Sequence, residues 1–303
     1  MDDVEKFVNR EIRRGNKYDA IIMDPPSYGR GTKGEVWRFE EDIADLVNLC
    51  TKVLSDEPLF FLINSYTTGI SADGSKKILN ILYEDNHVIV VVKEPGIPSQ
   101  ADKTKDEDML TLIKAYLKEK YNKPGNVYLG LVHRLDRAVG GVMVFAKTSK
   151  AASRLSEQVR NKQVKKNYIA VVKGKMENLN GVMKDYLVKD ERKNKSFVAN
   201  KDTKNAKFSE LEYEVLKYDE VTHMSLVKID LKTGRHHQIR VQFSSRGHSL
   251  CGDTKYGTRS RSKQLALWSY RLKFYHPTTK EELEFKYLPT QKGVWNILKD
   301  VHI

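Results

Sequence analysis

The apolar segments of this chain are short, and their arrangement changes at a polar stretch, residues 71–75 (SADGS). Small and polar residues around a glycine are typical of a turn or linker. Before the stretch, the pattern predicts a strand, a helix and a second strand, the order of a βαβ unit with a parallel sheet. After it, many short strands alternate with a few helices, which favours an α+β domain. We therefore predict two domains, residues 1–75 and residues 76–303.

Apolar runs mark the individual elements. In the first domain, residues 18–23 (YDAIIM) and 59–64 (LFFLIN) are predicted strands. The helix between them has an apolar face formed by Ile43, Leu46, Val47, Cys50, Val53 and Leu54. In the second domain, the predicted strands are residues 81–83, 88–92, 141–146, 168–172, 211–215 and 225–231. A helix is predicted from Met109 to Leu117, and the polar residues 189–207 are predicted to form a hairpin with exposed loops.

Charge separates the same two parts of the chain. Residues 1–75 carry 9 basic and 14 acidic side chains, a net charge of −5, and residues 76–303 carry 44 and 26, a net charge of +18. A basic domain fits a polyanionic partner, because Lys and Arg neutralise phosphates and release counterions. The alternative is a lysine-rich surface that serves only solubility.

Several classes of protein are disfavoured by composition. No apolar run in the sequence approaches the length needed to span a bilayer. The two cysteines, Cys50 and Cys251, lie far apart and lack the spacing of a zinc site or a disulfide framework. We therefore expect a cytoplasmic protein without a membrane partner or a metal.

The first segment that can carry chemistry is residues 131–137 (LVHRLDR), in which Asp136 lies close to Arg134 and Arg137. A guanidinium within reach of a carboxylate lowers its pKa and keeps it ionised. An ionised, positioned carboxylate can act as a nucleophile. The alternative is a salt-bridged carboxylate at the end of a strand, and spacing alone favours that alternative.

The second segment is residues 231–241 (LKTGRHHQIRV), where a turn at Thr233 and Gly234 follows a strand. Its donors are dense enough to hold phosphates and base edges, and they are Arg235, His237, Gln238 and Arg240. Two adjacent histidines suggest a metal, but no cysteine or carboxylate stands at ligand spacing, so a metal is disfavoured. The alternative for the arginines is a solvated basic helix face.

The third segment is residues 164–171 (VKKNYIAV), in which Lys166 precedes Tyr168 at the start of a strand. A tyrosine can stack on a base or take part in proton transfer. Taken alone, the segment favours the alternative, a tyrosine that packs in the core.

Together and in this order, the three segments resemble the RluA-type RNA pseudouridine synthases, over about residues 78–290. The matching motifs are His-Arg-Leu-Asp at 133–136, Lys-x-Tyr-x-Ala at 166–170, Thr-Gly-Arg-x-His-Gln-Ile-Arg at 233–240, Gly-His at 247–248 and Gly-Asp-x-x-Tyr-Gly at 252–257. Two positions depart from the family pattern. Residues 139–141 (VGG) stand where Thr-Ser-Gly is usual, and Gln242 stands where a histidine often follows. We expect these departures to affect substrate choice more than activity.

The resemblance implies an α+β pseudouridine synthase fold, with a mixed, largely antiparallel central sheet and a catalytic cleft. It implies that specific uridines of ribosomal or transfer RNA are isomerised to pseudouridine, without a cofactor or metal, by a monomer. Asp136 is then the nucleophile, Arg240 pairs with it, and Tyr168 stacks on the flipped uracil and helps as a base. The expected RNA contacts are His133, Arg134, Arg137, Lys166, Arg235, His237 and Gln238. A catalytically silent RNA-binding module with the same fold is the alternative, and the intact Asp136 disfavours it.

Residues 18–31 (YDAIIMDPPSYGRG) resemble a different family, the Asp-Pro-Pro segment of class I S-adenosylmethionine-dependent RNA methyltransferases. Those enzymes bind their cofactor on an upstream strand and its glycine-rich loop, which do not precede the segment here. We therefore interpret residues 1–75 as a truncated, Rossmann-like fragment without chemistry of its own. An intact methyltransferase is disfavoured, because half of a doubly wound sheet has no ligand crevice.

Overall fold

A computed structural model of the protein describes residues 4–25, 28–30, 36–63, 79–102, 106–257, 264–301 and 303. The chain forms two compact units, Met1–Ile78 and Leu79–Ile303. The stretch 71–75, which we predicted to be a linker, lies outside the described residues, and so does Pro26 of the Asp-Pro-Pro segment. None of the described helices is long and apolar enough to cross a membrane.

The first unit contains the predicted strand–helix–strand unit. Its elements are α1 (Val4–Arg14), β1 (Ala20–Met23), β2 (Tyr28–Arg30), β3 (Val36–Arg38), α2 (Phe39–Thr51) and β4 (Phe60–Ile63). β1 and β4 pair in parallel, with Ala20 opposite Phe60, so the predicted parallel βαβ arrangement is confirmed. The buried side chains of Val8 from α1 and of Leu46 and Cys50 from α2 form a small core against these strands.

The second unit is built on one large sheet. Its elements are β5 (Asn80–Glu84), β6 (Val88–Lys93), α3 (Met109–Lys120), β7 (Gly130–Leu131), β8 (Gly140–Ala146), α4 (Ser149–Arg160), β9 (Lys165–Lys173), β10 (Asn180–Asp190), β11 (Lys195–Ala199), β12 (Lys207–Asp219), β13 (Met224–Leu231), α5 (Gln238–Ser244), β14 (Leu267–Tyr275), β15 (Glu282–Lys286) and a 3₁₀ helix, Gly293–Leu298. The described strands follow the order β11-β10-β12-β13-β9-β14-β8-β6-β5, with β15 on β14 and β7 on β8. Neighbours are antiparallel except for the parallel pair β8 and β14, so the expected mixed, largely antiparallel sheet is confirmed.

Two central strands, β6 and β8, are buried along their whole length because helices cover both faces of the sheet there. All six residues of β6 and all seven of β8 are buried. On one face, Ile89 packs in the same core as Ile113 of α3. On the other face, Val90 packs in the same core as Leu155 of α4. Each such aliphatic side chain contributes about 1.5–3 kcal/mol when it is fully buried.

The parallel contact between β8 and β14 explains one departure from the family pattern. A Cβ atom on Gly140 would lie 2.2 Å from the ring of Trp268, and one on Gly141 would lie 2.2 Å from the backbone oxygen of Ser269. Gly141 also has a φ of +131°, a conformation that other residues rarely adopt. Glycine at residue 140, where the family usually has serine, is therefore required by the tryptophan that packs against it.

A buried carboxylate, Glu84 at the end of β5, links three elements of this unit. It accepts hydrogen bonds from Lys147 at 2.6 Å, Tyr121 at 2.7 Å, Lys120 at 2.8 Å and Tyr116 at 3.0 Å. Burial alone would raise the pKa of Glu84, but these hydrogen bonds outweigh it and lower the pKa to about 2. Because the carboxylate is buried, removing its charge leaves the buried ammonium group of Lys147 without its anionic partner.

We predict that Glu84→Gln lowers the free energy of unfolding at pH 7 by about 3 kcal/mol. The pKa of Glu84 falls from an ordinary value of 4.5 to about 2 on folding. The stabilisation is therefore complete above pH 4.5 and is lost as the pH falls towards 2. Thermal melts of the two proteins at pH 7 and at about pH 3 measure this, and the gap in Tm should narrow at the lower pH.

The exposed Glu177 provides the matched control, since Glu177→Gln makes the same chemical change on the surface. We expect its Tm to follow the unmodified protein at both pH values. A gap for Glu84→Gln that does not change with pH would contradict a role for the ionised carboxylate.

Candidate active site

A cavity of about 710 Å³ opens in the second unit, and all three segments predicted to carry chemistry line it. A cavity of this size is in the range of small-ligand sites. The lining residues include His133, Arg134, Asp136, Lys166, Tyr168, Glu210, Asp230, Arg235, His237, Gln238 and Arg240. The cavity therefore brings together residues that are more than a hundred positions apart in the chain.

The loop that carries Asp136 is held by side chains and backbone groups of the segment that follows β6. The hydroxyl of Ser99 donates to the carbonyl of Leu135 at 2.8 Å and accepts from its N–H at 3.2 Å. The carbonyl of Arg137 accepts from the ammonium group of Lys93 at 3.1 Å and from the N–H of Gly96 at 2.8 Å. Both residues that flank the aspartate are thus tied down, which fixes the backbone from which its side chain projects.

Lys93 is fully buried beneath this loop. Burial lowers its pKa to about 7, and the nearby Asp136 and Glu94 carboxylates oppose that shift. Sequence reasoning missed Lys93 and Ser99. The sequence signal for Lys93 is its position at the end of the apolar run of β6, because a lysine that continues a buried strand is itself buried.

The carboxylate of Asp136 is about one-third exposed, at 34%, and two basic side chains at the start of α5 approach it. Its Oδ2 atom lies 3.5 Å from Nε2 of His237 and 3.9 Å from Nη1 of Arg240. Arg137, the next residue in sequence, has other partners. Its guanidinium donates to the carbonyl of Gly96 at 2.9 Å and pairs with Asp106. The structure therefore pairs Arg137 with groups other than Asp136, and its predicted contact with RNA stays a prediction.

Arg240 has a second carboxylate partner that sequence reasoning missed. Two of its N–H groups donate to the two oxygens of Asp253, each at 2.7 Å, and both side chains are buried. Burial works against the charge of Arg240, but the hydrogen bonds to Asp253 outweigh it, so the pKa of the guanidinium rises. Arg240 was expected to pair with Asp136. In the structure, Arg240 forms its bidentate pair with Asp253. Its Nη1 atom faces Asp136 at the longer distance of 3.9 Å.

His237 begins α5 in a left-handed backbone conformation, with a φ of 53°. Its Nδ1 atom lies 2.8 Å from the hydroxyl of Tyr256. Its ring stacks on that of His236, with 3.8 Å between centroids. Burial, with a contribution from Arg240, lowers the pKa of His237 to about 3, so the ring is neutral at pH 7. The side chain of His236 contacts the hydroxyl of Ser196 at 2.9 Å.

Tyr168 lies on the cavity wall with its side chain almost fully buried. Burial and the nearby Asp136 carboxylate raise the pKa of its hydroxyl well above the ordinary value. A phenol of raised pKa stays protonated at neutral pH, which disfavours the expected role as a base. The flat ring remains available for stacking.

Two of the predicted RNA contacts are engaged inside the protein. Nε2 of His133 accepts a hydrogen bond from the N–H of Val144 at 3.1 Å, and burial lowers the pKa of this ring to about 3. The amide oxygen of Gln238 accepts from the hydroxyl of Thr233 at 2.8 Å, and its nitrogen donates to Gln242 at 3.0 Å. Both side chains line the cavity, and their hydrogen bonds within the protein help to shape its wall.

The remaining predicted RNA contacts are cations at the cavity. Arg134 and Arg235 are exposed, and the Nε atom of Arg235 donates to the carbonyl of Phe208 at 2.8 Å. Lys166 is partly buried, and burial lowers its pKa. These three positive groups face the same cavity as Asp136.

Known proteins match a large part of this chain. Residues 87–245 match the model of the RNA pseudouridylate synthase family. An RNA pseudouridine synthase of Aquifex aeolicus is 34% identical over 223 residues, which cover 69% of this chain and 68% of that protein. Another, from Bacillus subtilis, is 35% identical over 223 residues, or 73% of this chain and 76% of that protein. The ribosomal large subunit pseudouridine synthase C of Buchnera aphidicola is 31% identical over 244 residues, or 77% and 75%.

A solved structure shares the fold of the second unit. Human RNA pseudouridylate synthase domain containing 1 superimposes with a TM-score of 0.59 and 23% identity, over 70% of this chain and 84% of that one. The motifs, the cavity that they line and these relatives lead to one assignment. The chain belongs to the RNA pseudouridylate synthase family and catalyses the formation of pseudouridine in RNA.

Proposed function

We propose that Asp136 is the nucleophile of this enzyme and that the reaction needs no cofactor or metal. The observation that carries the proposal is the difference between the cationic partners of the three carboxylates that line the cavity. Glu210 and Asp230 also line it, but they form ion pairs with Lys184 at 3.4 Å and Lys232 at 2.6 Å. The Asp136 carboxylate is the one that faces His237 and Arg240 at more than hydrogen-bond distance, partly open to the cavity.

The proposed reaction breaks the N1–C1′ bond of a uridine, turns the uracil and joins its C5 atom to C1′. A proton leaves C5 and N1 gains one, so the net change is an isomerisation. The base must first leave the stack, which costs a few kcal/mol that contacts in the pocket offset. The Asp136 carboxylate then adds to C1′ of the ribose, displacing N1, or to C6 of the base, and these are two open alternatives. In both, the bond to Asp136 breaks again before the product leaves, which regenerates the carboxylate. Arg240 and His237 orient the carboxylate, and the ring of Tyr168 stacks on the flipped uracil.

We further propose that residues 76–303 are the catalytic domain and that its substrate is a structured RNA in the cytoplasm. The Buchnera relative is named for the large ribosomal subunit, which favours ribosomal over transfer RNA as the substrate. The net charge of +18 on this part of the chain supports binding to the phosphate backbone. Arg134, Lys166 and Arg235 are the proposed contacts, because their cationic groups line the cavity. We propose that the enzyme acts as a monomer.

For the first unit, we propose a fragment of a methyltransferase fold with no chemistry of its own. The parallel pairing of β1 and β4 and the Asp24-Pro25 step after β1 support this assignment. The small sheet also leaves apolar side chains uncovered, since Ile22 is 70% exposed and Leu62 is 51% exposed. An intact doubly wound sheet buries both of its faces.

Asp136→Asn should abolish pseudouridine formation, because an amide cannot act as the nucleophile. We expect the dissociation constant for RNA to stay within a few-fold, since the change removes no cationic contact. Release of tritium from RNA labelled at C5 of uridine measures turnover, and filter binding measures affinity. Tritium release at the unmodified rate would show that the nucleophile is a different residue.

Asp230→Asn is the matched control, because Asp230 lines the same cavity but is paired with Lys232. We expect it to keep most of its activity. If the unmodified protein and both variants form no pseudouridine in any structured RNA, the proposal fails. The competing function, a catalytically silent RNA-binding module, then replaces it.

Arg134→Ala should weaken RNA binding a few-fold and reduce the slope of log affinity against log salt by about 1, because one phosphate contact is lost. Arg137→Ala is the matched comparison, since the guanidinium of Arg137 pairs with Asp106 instead of facing the cavity. We expect its salt slope to equal that of the unmodified protein. Equal losses in the two variants would contradict the distinction between the two arginines.

Titration of the full chain with S-adenosylmethionine in a calorimeter should give no saturable heat. Among its described residues, the first unit has one parallel pair of strands, whereas a doubly wound sheet binds its ligand in a crevice between two halves. The same protein should still bind RNA, which shows that the sample is active. Saturable binding of the cofactor would instead favour the alternative function, methyl transfer.

A further inference from the structure

Tyr256 contacts one of the two basic side chains that approach Asp136, although it does not itself line the cavity. Its hydroxyl oxygen accepts a hydrogen bond from the backbone N–H of Ser196 in β11, at 2.7 Å. The same oxygen lies 2.8 Å from Nδ1 of His237. Tyr256 therefore sits between a fixed backbone donor and a histidine whose other nitrogen, Nε2, faces the carboxylate.

The hydrogen-bonding capacity of the Tyr256 hydroxyl favours one donor in its contact with His237. A phenol has one proton, and the N–H of Ser196 already supplies a proton to its oxygen. The hydroxyl proton needs an acceptor, and among the described residues Nδ1 of His237 is the one within hydrogen-bond distance. Burial raises the pKa of Tyr256, so the hydroxyl keeps its proton at neutral pH. This arrangement favours Nδ1 as the acceptor, which places the proton of the neutral ring on Nε2.

The tautomer decides what His237 presents to Asp136. With the proton on Nε2, an N–H group faces Oδ2 of Asp136, 3.5 Å away. With the proton on Nδ1, a lone pair would face the carboxylate and repel it. The observed distance is longer than a hydrogen bond, as is common for catalytic contacts that tighten only when the substrate is bound.

The orientation of the ring is fixed from two further directions. His237 is a non-glycine residue in the left-handed region, where strain persists only if the surroundings hold it. Its ring stacks on His236, and the side chain of His236 contacts the hydroxyl of Ser196 at 2.9 Å. Ser196 therefore supports both rings, through its backbone to Tyr256 and through its side chain to His236.

We propose that Tyr256 is a positioning residue whose hydroxyl holds His237 in the tautomer protonated on Nε2, so that His237 donates to the Asp136 carboxylate during the reaction. The proposal rests on Asp136 being the nucleophile. It adds Tyr256 as the residue that orients His237 and, through it, the Asp136 carboxylate. Tyr256 acts through His237 and does not touch the substrate.

The tautomer can be measured without any reference to activity. In the full chain labelled with ¹⁵N-histidine, long-range ¹H–¹⁵N correlations distinguish a protonated ring nitrogen from a bare one. The signals of His237 are identified by their loss in His237→Gln. We expect Nε2 protonated and Nδ1 bare in the unmodified protein, and a mixture of tautomers in Tyr256→Phe. A proton on Nδ1 in the unmodified protein would overturn the proposal.

A double-mutant cycle then tests whether the tautomer matters for turnover. Tyr256→Phe should lower kcat by about 10- to 100-fold with KM for RNA unchanged, because a buried donor is no longer held in place. His237→Gln presents an amide N–H at the position of Nε2, and an amide has no tautomer to set. We therefore expect partial activity in His237→Gln, and Tyr256→Phe in that background should cost less than about 3-fold.

His237→Asn is the matched control for that cycle. It has the same amide one methylene shorter, so its N–H stands at the position of Nδ1 and cannot reach Asp136. We expect it to lose more activity than His237→Gln, although asparagine suits the left-handed conformation better. Circular dichroism and thermal melts establish that each variant is folded.

The outcomes separate this proposal from the proposed function. An equal loss from Tyr256→Phe in both backgrounds would show that the tyrosine acts through packing alone, and a folded but inactive His237→Gln would show that the ring supplies something other than a donor. Either result overturns the proposal. If Asp136→Asn retains turnover while the Nε2 tautomer is observed, the nucleophile assignment fails and the assignment of the tautomer stands.

Discussion

The buried pair between Arg240 and Asp253 is the interaction on which the site depends. Its two hydrogen bonds of 2.7 Å compensate two charges that burial would otherwise penalise by several kcal/mol each. Oδ1 of Asp253 also accepts from the backbone N–H groups of Lys255 and Tyr256, at 2.9 and 3.0 Å. The pair thereby joins α5 to the loop that follows it. That loop supplies the hydroxyl that contacts His237, so one carboxylate helps to place both basic groups that approach Asp136.

The loop that carries Asp136 is held by β6 and by the segment that follows it. Ser99 holds the residue before it, and Lys93 holds the residue after it through the Arg137 carbonyl. These contacts depend on β6 and β8 lying side by side, and the apolar cores on both faces of the sheet maintain that arrangement. The proposed nucleophile and the basic groups that approach it are therefore attached to different parts of one sheet. Their geometry follows from the packing of the whole unit.

Much of the site could be predicted from sequence, but the roles within it could not. Asp136, Tyr168 and Arg240 were identified through family motifs, and all three line the cavity. From the residues alone, a structural ion pair was the better interpretation of Asp136. The partners of each side chain could not be predicted, because neighbours in sequence need not be partners in space. Arg137 is adjacent to Asp136 and turns away to Gly96 and Asp106, whereas Gln238 lies in the basic segment and uses its amide inside the protein.

Residue order alone established the βαβ pattern of the first unit, most strands of the second and the family of the enzyme. Those features are local, since apolar periodicity and short motifs are contained in a few consecutive residues. Folding in three dimensions settled which donor meets which acceptor. Arg240 hydrogen-bonds to Asp253, Glu84 accepts hydrogen bonds from two lysines and two tyrosines, and His237 contacts the hydroxyl of Tyr256. A hydrogen bond depends on a distance and a direction that exist only after strands and helices have packed.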